Sequence, residues 1–237
     1  MRDRRNGVVA IVDYGLGNLF SVQRACEHVG LLGEVTHSKA VLLNAAAVIL
    51  PGVGAFGVAV DNLTRLDLVE VLKDIAQSGI PLLGICLGMQ LLMRESEEFG
   101  NHRGLGIIDG DVVRIPEMMA GQRRLKVPQV GWNSIHASYE TSDVQHGMWH
   151  RTLLDGIHQG AFMYFVHSYY CRPVDQAVDL ARTRYGQIDF CSAVRRLNIV
   201  GCQFHPERSG PEGLQIYRNL AALVQKHGSE ECRAGKI

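Results

Sequence analysis

Short runs of Val, Ile and Ala alternate along the first half of the chain with segments whose apolar residues recur at helical spacing. That alternation is the pattern of βαβ units around a mostly parallel sheet covered on both faces. Val8–Val12 reads as a strand, and Gly15–Gly17 turns into a helix from about Leu19 to Val29. Ala47–Leu50 and Ile80–Ile85 read as two further strands, and the spacing predicts helices around Leu63–Ile75 and over Leu87–Met93. From about Gly104 the pattern changes to short strand-like pieces broken by Gly and Pro, at Ile107–Ile115, Val127–Ile135, Ala161–Tyr170 and Gln187–Val194. They predict an antiparallel extension of the sheet. Ile199–Phe204 reads as a last strand and Glu212–His227 as a closing helix, with the polar Gly228–Ile237 expected to fray. The fold class is therefore α/β, an open, mostly parallel twisted sheet with helices on both faces and an antiparallel extension. With no repeat, low-complexity stretch or linker in view, residues 1–237 read as one domain with an ordered core over about 7–227.

Composition narrows what such a fold can do. Lys plus Arg and Asp plus Glu both number 24, so the overall charge argues against a nucleic-acid partner. No apolar stretch approaches the length of a membrane span. The basic Met1–Asn6 leads into a strand-like run rather than a signal-peptide core. Cys26, Cys86, Cys171, Cys191, Cys202 and Cys232 are scattered, without a CxxC pair or a disulfide framework. A reducing, cytoplasmic setting is expected, with no metal, and most of these thiols read as small buried fillers.

Three segments carry candidate chemistry. Gly84-Ile85-Cys86-Leu87-Gly88 joins a predicted strand to a predicted helix, the context of a nucleophile elbow. Glycines on either side relieve crowding around a strained central residue, and the helix N-terminus favours the thiolate. The same residues also fit a buried cysteine in a glycine-rich βα turn. Pro51-Gly52-Val53-Gly54-Ala55-Phe56-Gly57 follows a strand and can offer N–H groups to an anion. In an acyl-transfer site it would form an oxyanion hole with the N–H of Leu87, and a phosphate loop or plain turn is the alternative, although the Lys-Ser/Thr ending of a P-loop is missing. Gly15-Leu16-Gly17 lacks the third glycine of a dinucleotide fingerprint, since Phe20 stands there, and reads as a packing turn. Phe204-His205-Pro206-Glu207 follows the last strand. Histidine is the base a cysteine nucleophile needs, and a carboxylate two residues on can orient its ring, although an H-x-E pair also occurs in metal sites.

In this order the segments resemble the class I (triad) glutamine amidotransferases, which hydrolyse glutamine to glutamate and ammonia. The resemblance runs from Asp13-Tyr14-Gly15-Leu16-Gly17-Asn18 to Arg218-Asn219-Leu220. Besides the three segments it includes Met89-Gln90-Leu91-Leu92, Val130-Gly131-Trp132-Asn133, Phe165-Val166-His167-Ser168-Tyr169 and Gln203. Within the family the chain is similar to the branch whose glutaminase subunit forms a heterodimer with a cyclase subunit in histidine biosynthesis. The resemblance implies Cys86 as nucleophile, His205 as base and Glu207 as its orienting carboxylate, with Val53 and Leu87 at the oxyanion. It implies Gly52, Gly54, Gln90, Glu98, Ser168 and Tyr169 around the glutamine. Asn18, Trp132, Tyr164 and Arg208 are implied to face the cyclase, and no cofactor is required.

Gln129 stands where the family often has His and Arg208 where it commonly has Lys, which bears on the partner rather than on hydrolysis. Apart from the resemblance, Glu95 and Glu97 read as the solvated end of a helix. A different acceptor, such as a surface-polysaccharide sugar, a catalytically silent regulatory partner, and an ordinary esterase or peptidase are the competing functions.

Overall fold

The computed structural model describes residues 7–117, 125–138 and 149–234, with side chains as far as residue 226. The first half contains β1 (Val8–Val12), α1 (Leu19–His28), β2 (Leu32–Thr36), α2 (Lys39–Leu43), β3 (Ala47–Leu50), α3 (Phe56–Arg65), α4 (Val69–Ser78), β4 (Leu82–Ile85) and α5 (Leu87–Leu91). The second contains β5 (Glu95–Ser96), β6 (His102–Arg103), β7 (Gly110–Arg114), β8 (Gln129–Ser134), β9 (His136–Ala137), β10 (Phe162–His167), β11 (Tyr169–Pro173), β12 (Asp179–Tyr185), β13 (Ile188–Arg196), β14 (Ile199–Cys202) and α6 (Gly210–Ala234).

Among the described residues the main sheet runs β2-β1-β3-β4-β14-β13-β12-β9, parallel from β2 to β14 and antiparallel beyond. Its central strands are buried along their whole length, because helices cover both faces. Alternate side chains feed two cores. Val9, Ile11, Ile49, Leu83, Ile85 and Val200 pack with α1 and α6, whereas Ala10, Val12, Val48, Leu50 and Leu82 pack with α2 to α5. Among the described residues no helix is long and apolar enough to cross a membrane.

The differences from the sequence expectations have local causes. The predicted helix around Leu63–Ile75 is two helices, α3 and α4, because Asp67 takes a left-handed conformation (φ 51°) that lets both Leu63 and Leu68 turn inward. The helix predicted to Met93 ends at Leu91, and the carbonyls of Leu91, Leu92, Met93 and Arg94 accept N–H groups from the returning segment Gly104–Ile108. Glu95 and Glu97 are therefore not a helix end: Glu95 lies in β5, and Glu97 accepts the Arg114 N–H of β7 at 2.8 Å. Ala161–Tyr170 is two strands that part at Ser168, β10 pairing with β8 and β11 with β7. Of the four late strand-like pieces only Gln187–Val194 joins the main sheet, the others forming two smaller sheets ordered β10-β8 and β11-β7-β5-β6. The closing helix continues through the expected frayed region to Ala234, while Met1–Asn6 and residues 235–237 lie outside the described residues.

Phe165 on β10 joins the small β10-β8 sheet to the main one, meeting Phe190 of β13 and Phe204 edge-on with ring centroids 6.2 and 5.7 Å away. Phe165→Ala should destabilise the chain by about 3–5 kcal/mol in denaturant unfolding, the cost of an aromatic-sized hole; a change below about 1 kcal/mol would show that the sheets are not energetically joined there.

Candidate active site

The C-terminal ends of β1, β3, β4 and β14 all point the same way in the parallel sheet, and the segments that follow them meet at one end. Cys86 lies between β4 and α5 with φ 53° and ψ −108°, a conformation rare for a residue with a side chain. Its N–H donates to the Cys202 carbonyl of β14 at 2.7 Å. The flanking glycines are needed sterically. A β-carbon on Gly84 would stand 2.9 Å from the Gly88 backbone, and one on Gly88 would stand 1.8 Å from the Leu50 carbonyl oxygen.

His205 is held by its backbone: its N–H donates to the Tyr164 carbonyl at 2.9 Å, and Ser209 Oγ donates to the His205 carbonyl at 2.6 Å. Nδ1 lies 2.8 Å from Glu207 Oε1, and both side chains are buried. A carboxylate accepts, so Nδ1 carries a proton. Nε2 is buried and makes no hydrogen bond among the described residues, although the Cys86 sulfur is near enough to act on it electrostatically. Burial alone would lower the pKa of His205, but Cys86 and Glu207 outweigh it and raise it to about 10. These two partners thus favour the imidazolium form of the ring.

In front of the sulfur is a cavity of about 300 Å³ lined by Val53, Gly54, Cys86, Leu87, Gln90, Glu98 and Ser168, with Tyr169 and others. It gathers the expected glutamine-contact residues except Gly52, which lies behind the wall under Tyr14 and Leu87. Glu98 Oε2 accepts the Phe56 N–H at the start of α3 at 2.6 Å, leaving its other oxygen for a ligand. The two expected oxyanion donors do not converge. The Leu87 N–H donates to the Gly52 carbonyl at 3.3 Å. Because a trans peptide points its C=O and N–H in opposite directions, the Val53 N–H faces away from Leu87.

Trp132 and Tyr164 are opposite residues of β8 and β10, their rings edge-to-face at 6.1 Å, and the Arg208 guanidinium lies over the Tyr164 ring at 4.8 Å. Trp132 is 55% exposed and shares its face with exposed Val130 and Phe162 and with Val166, whose carbonyl oxygen lies 3.9 Å from the Cys86 sulfur. Asn18 begins α1 at the same end of the sheet, its Oδ1 accepting from the Ser21 N–H. Gln129, opposite His167 across β8 and β10, is buried.

Two polar side chains at the site, His167 and Gln203, are absent from the sequence-based set. His167 lines the cavity, its Nδ1–H donating to the Tyr169 carbonyl at 2.8 Å, and burial, opposed by that bond, lowers its pKa to about 4. Gln203 is fully buried with Nε2 3.6 Å from the Cys86 sulfur. The available signal was position, since residues two apart in an extended segment project to one side and Gln203 precedes His205 by two. Among the described residues no cluster of His, Cys, Asp and Glu is arranged to hold a metal ion.

The family model described as glutamine amidotransferase class-I matches residues 10–223. The imidazole glycerol phosphate synthase subunit HisH of Syntrophotalea carbinolica is 47% identical over 91% of this chain and 100% of its own length. The subunit of the same name from Aquifex aeolicus is 42% identical over 91% of this chain and 97% of its own. Among solved structures, a glutamine amidotransferase superposes with TM-score 0.65 at 20% identity, covering 92% of this chain and 99% of that one. PurLQS from Thermotoga maritima superposes with TM-score 0.63 at 18% identity, over 92% and 99%. These structural likenesses show the fold.

In ¹⁵N NMR the His205 ring should stay doubly protonated through neutral pH and titrate near 10. Cys86→Ala and Glu207→Gln should each bring it down toward the ordinary 6.5. Since the folded pKa is the higher one, the stabilisation from the charged ring is complete below about 6.5 and is lost as pH rises through about 10. A wild-type ring that titrates at or below its ordinary value would contradict this electrostatic picture.

Proposed function

The chain belongs to the class-I glutamine amidotransferases, and from that premise we propose that it is the glutaminase subunit of an imidazole glycerol phosphate synthase, working with a cyclase subunit in histidine biosynthesis. The observation that carries the chemistry is the Cys86 sulfur at the floor of the cavity, with His205 behind it on the buried Glu207 carboxylate. The competing acceptors find no support in relatives that bear this one name at 40–47% identity.

In this reading Cys86 attacks the side-chain amide carbon of glutamine as a thiolate, and the imidazolium of His205 gives its proton to the departing ammonia. The neutral ring then takes a proton from water as it opens the thioester, releasing glutamate and regenerating the thiolate. Glu207 keeps the ring oriented and favours its charged form. Gln90 and Glu98 hold the polar head of glutamine, together with Gly54 and the backbone near Ser168 and Tyr169. Both Nε2 protons of Gln90 are engaged, by the Tyr169 carbonyl at 3.0 Å and Gln203 Oε1 at 3.1 Å, so its Oε1 is the atom that meets the substrate ammonium. The reaction needs no cofactor, and a cytoplasmic setting suits it.

The oxyanion donors Val53 and Leu87 are out of register in this conformation, which supports regulation through the Gly52–Val53 peptide. Turning that peptide over frees the Leu87 N–H from the Gly52 carbonyl and swings the Val53 N–H into the site. Tyr14 Oη donates to the Pro51 carbonyl at 2.7 Å and pins the preceding peptide, so the movement is confined to one unit. The cyclase docks on the face of Trp132, Tyr164 and Arg208, with Asn18 at its edge, and can drive the turn. That face adjoins the sulfur through Val166, giving ammonia a route that avoids water, where at neutral pH it would become unreactive ammonium.

The test is glutamate release from glutamine by the purified chain, alone and with the cyclase and its ribotide acceptor. Release should be low alone, rise at least tenfold in the loaded complex and vanish in Cys86→Ala, a lost nucleophile being worth several orders of magnitude. Trp132→Ala should weaken cyclase binding by about 2 kcal/mol or more, as removal of a central interface aromatic does, while Cys86 alkylation in the free chain is unchanged. Full activity without the cyclase, or binding indifferent to Trp132, would contradict the reading.

A further inference from the structure

The Cys86 sulfur has a polar side-chain neighbour besides His205 and the Val166 carbonyl oxygen. Gln90 and Gln203 are buried side by side, and hydrogen bonds leave each amide one orientation. The Tyr169 carbonyl can only accept, so the end of Gln90 that lies 3.0 Å from it is Nε2. That nitrogen is also 3.1 Å from Gln203, which must therefore present Oε1 to it. The opposite end of the Gln203 amide, Nε2, is left 3.6 Å from Cys86 Sγ. Turning either amide over would set two acceptors or two donors against each other between buried side chains, since Gln203 is fully buried and Gln90 is 5% exposed. A chain of four groups thus begins at a backbone carbonyl and ends with an N–H directed at the sulfur.

We propose that Gln203 is a positioning residue for the nucleophile: its Nε2–H donates to the Cys86 sulfur, holding it ionised and aimed into the cavity, while Gln90 fixes the direction in which the Gln203 amide points. The proposal rests on the reading of Cys86 as the nucleophile. It gives His205 and Gln203 separate tasks. His205 can move a proton, whereas an amide cannot, so the Gln203 bond persists while the imidazolium releases its proton to ammonia. The sulfur keeps a donor at the stage when thiolate must be restored as leaving group from the thioester. Gln90 touches both the substrate cavity and this chain, so the hold on glutamine and the hold on the sulfur share one side chain.

The test is the pH dependence of Cys86 alkylation by iodoacetamide in the purified chain, followed by mass spectrometry of the peptide that carries it, in wild type, Gln203→Met and Gln203→Glu. Gln203→Met, which keeps the length and removes the donor, should slow alkylation at neutral pH about tenfold and move its midpoint upward, as expected for loss of a hydrogen bond to a charged group. Gln203→Glu should slow it further, and both should approach the wild-type rate in alkali; glutamate release with cyclase should fall in kcat. An unchanged alkylation profile in a folded variant, with only the KM for glutamine raised, would overturn the proposal. The wild-type chain supplies a check that needs no Gln203 variant: the Gln203 side-chain amide resonances should shift as Cys86 ionises and stay fixed in Cys86→Ala. Resonances indifferent to Cys86 would also overturn it. A wild-type Cys86 that resists alkylation, or whose loss leaves glutamate release intact, would instead sink the nucleophile reading and this proposal with it.

Discussion

The site depends on one strained residue. A positive φ at Cys86 turns the chain from strand to helix within a single step, so the sulfur stands clear of the sheet instead of disappearing into it. Such a conformation is unfavourable by about 1–3 kcal/mol and survives only where the surroundings over-determine it. Here β3 and β14 do so from both sides. The Cys202 carbonyl takes the Cys86 N–H, and α5 approaches the end of β3 so closely that only glycine fits at position 88. The two cores sandwich these central strands, so the stability of the whole sheet is what keeps the turn in place.

With the sulfur fixed, the remaining groups differ in what burial does to them. His167 and His205 both belong to the site, yet one is held neutral and the other charged. His167 is offered only a carbonyl acceptor at Nδ1, and burial dominates, so it cannot serve as a proton donor at neutral pH. His205 is offered a carboxylate and the sulfur, which reverse the sign. The partner set, not the residue type, assigns the proton. The charge of His205 also disfavours one on His167.

This contrast explains which parts were legible in sequence. Strands β1, β3, β4 and β14 announce themselves because both faces are buried and nearly every residue is apolar. The edge strand β2 and the antiparallel β12 carry Glu34, Arg182 and Arg184 among their apolar residues, and the run does not stand out. Local spacing likewise could not reveal that Asp67 would break a helix or that Ser168 would divide a strand, since each break follows from which distant element the chain packs against. Cys86, His205 and Glu207 stand out in the sequence because the chemistry proposed for them is carried by residue type within a short motif. Gln203 is in the same motif but is chemically ordinary, and the direction of its amide toward the sulfur is set by Gln90, 113 positions away.

The Gly52–Val53 peptide lies beyond sequence for a different reason. Residue types specify that this segment can turn, not which way it faces, and the two directions differ by the exchange of one carbonyl for one N–H at the same place. With the carbonyl inward, as observed, the Leu87 N–H is satisfied and does not pair with the Val53 N–H as a second donor. In the proposed turned-over state, with the N–H inward, two donors would converge and the carbonyl would need a partner elsewhere. The observed arrangement gives the Leu87 N–H an acceptor, whereas the arrangement proposed for an oxyanion would leave two donors without acceptors until substrate supplies the negative charge. In the proposed mechanism, a cavity lined by the expected glutamine-contact residues therefore stabilises the transition state poorly until the partner alters that one peptide.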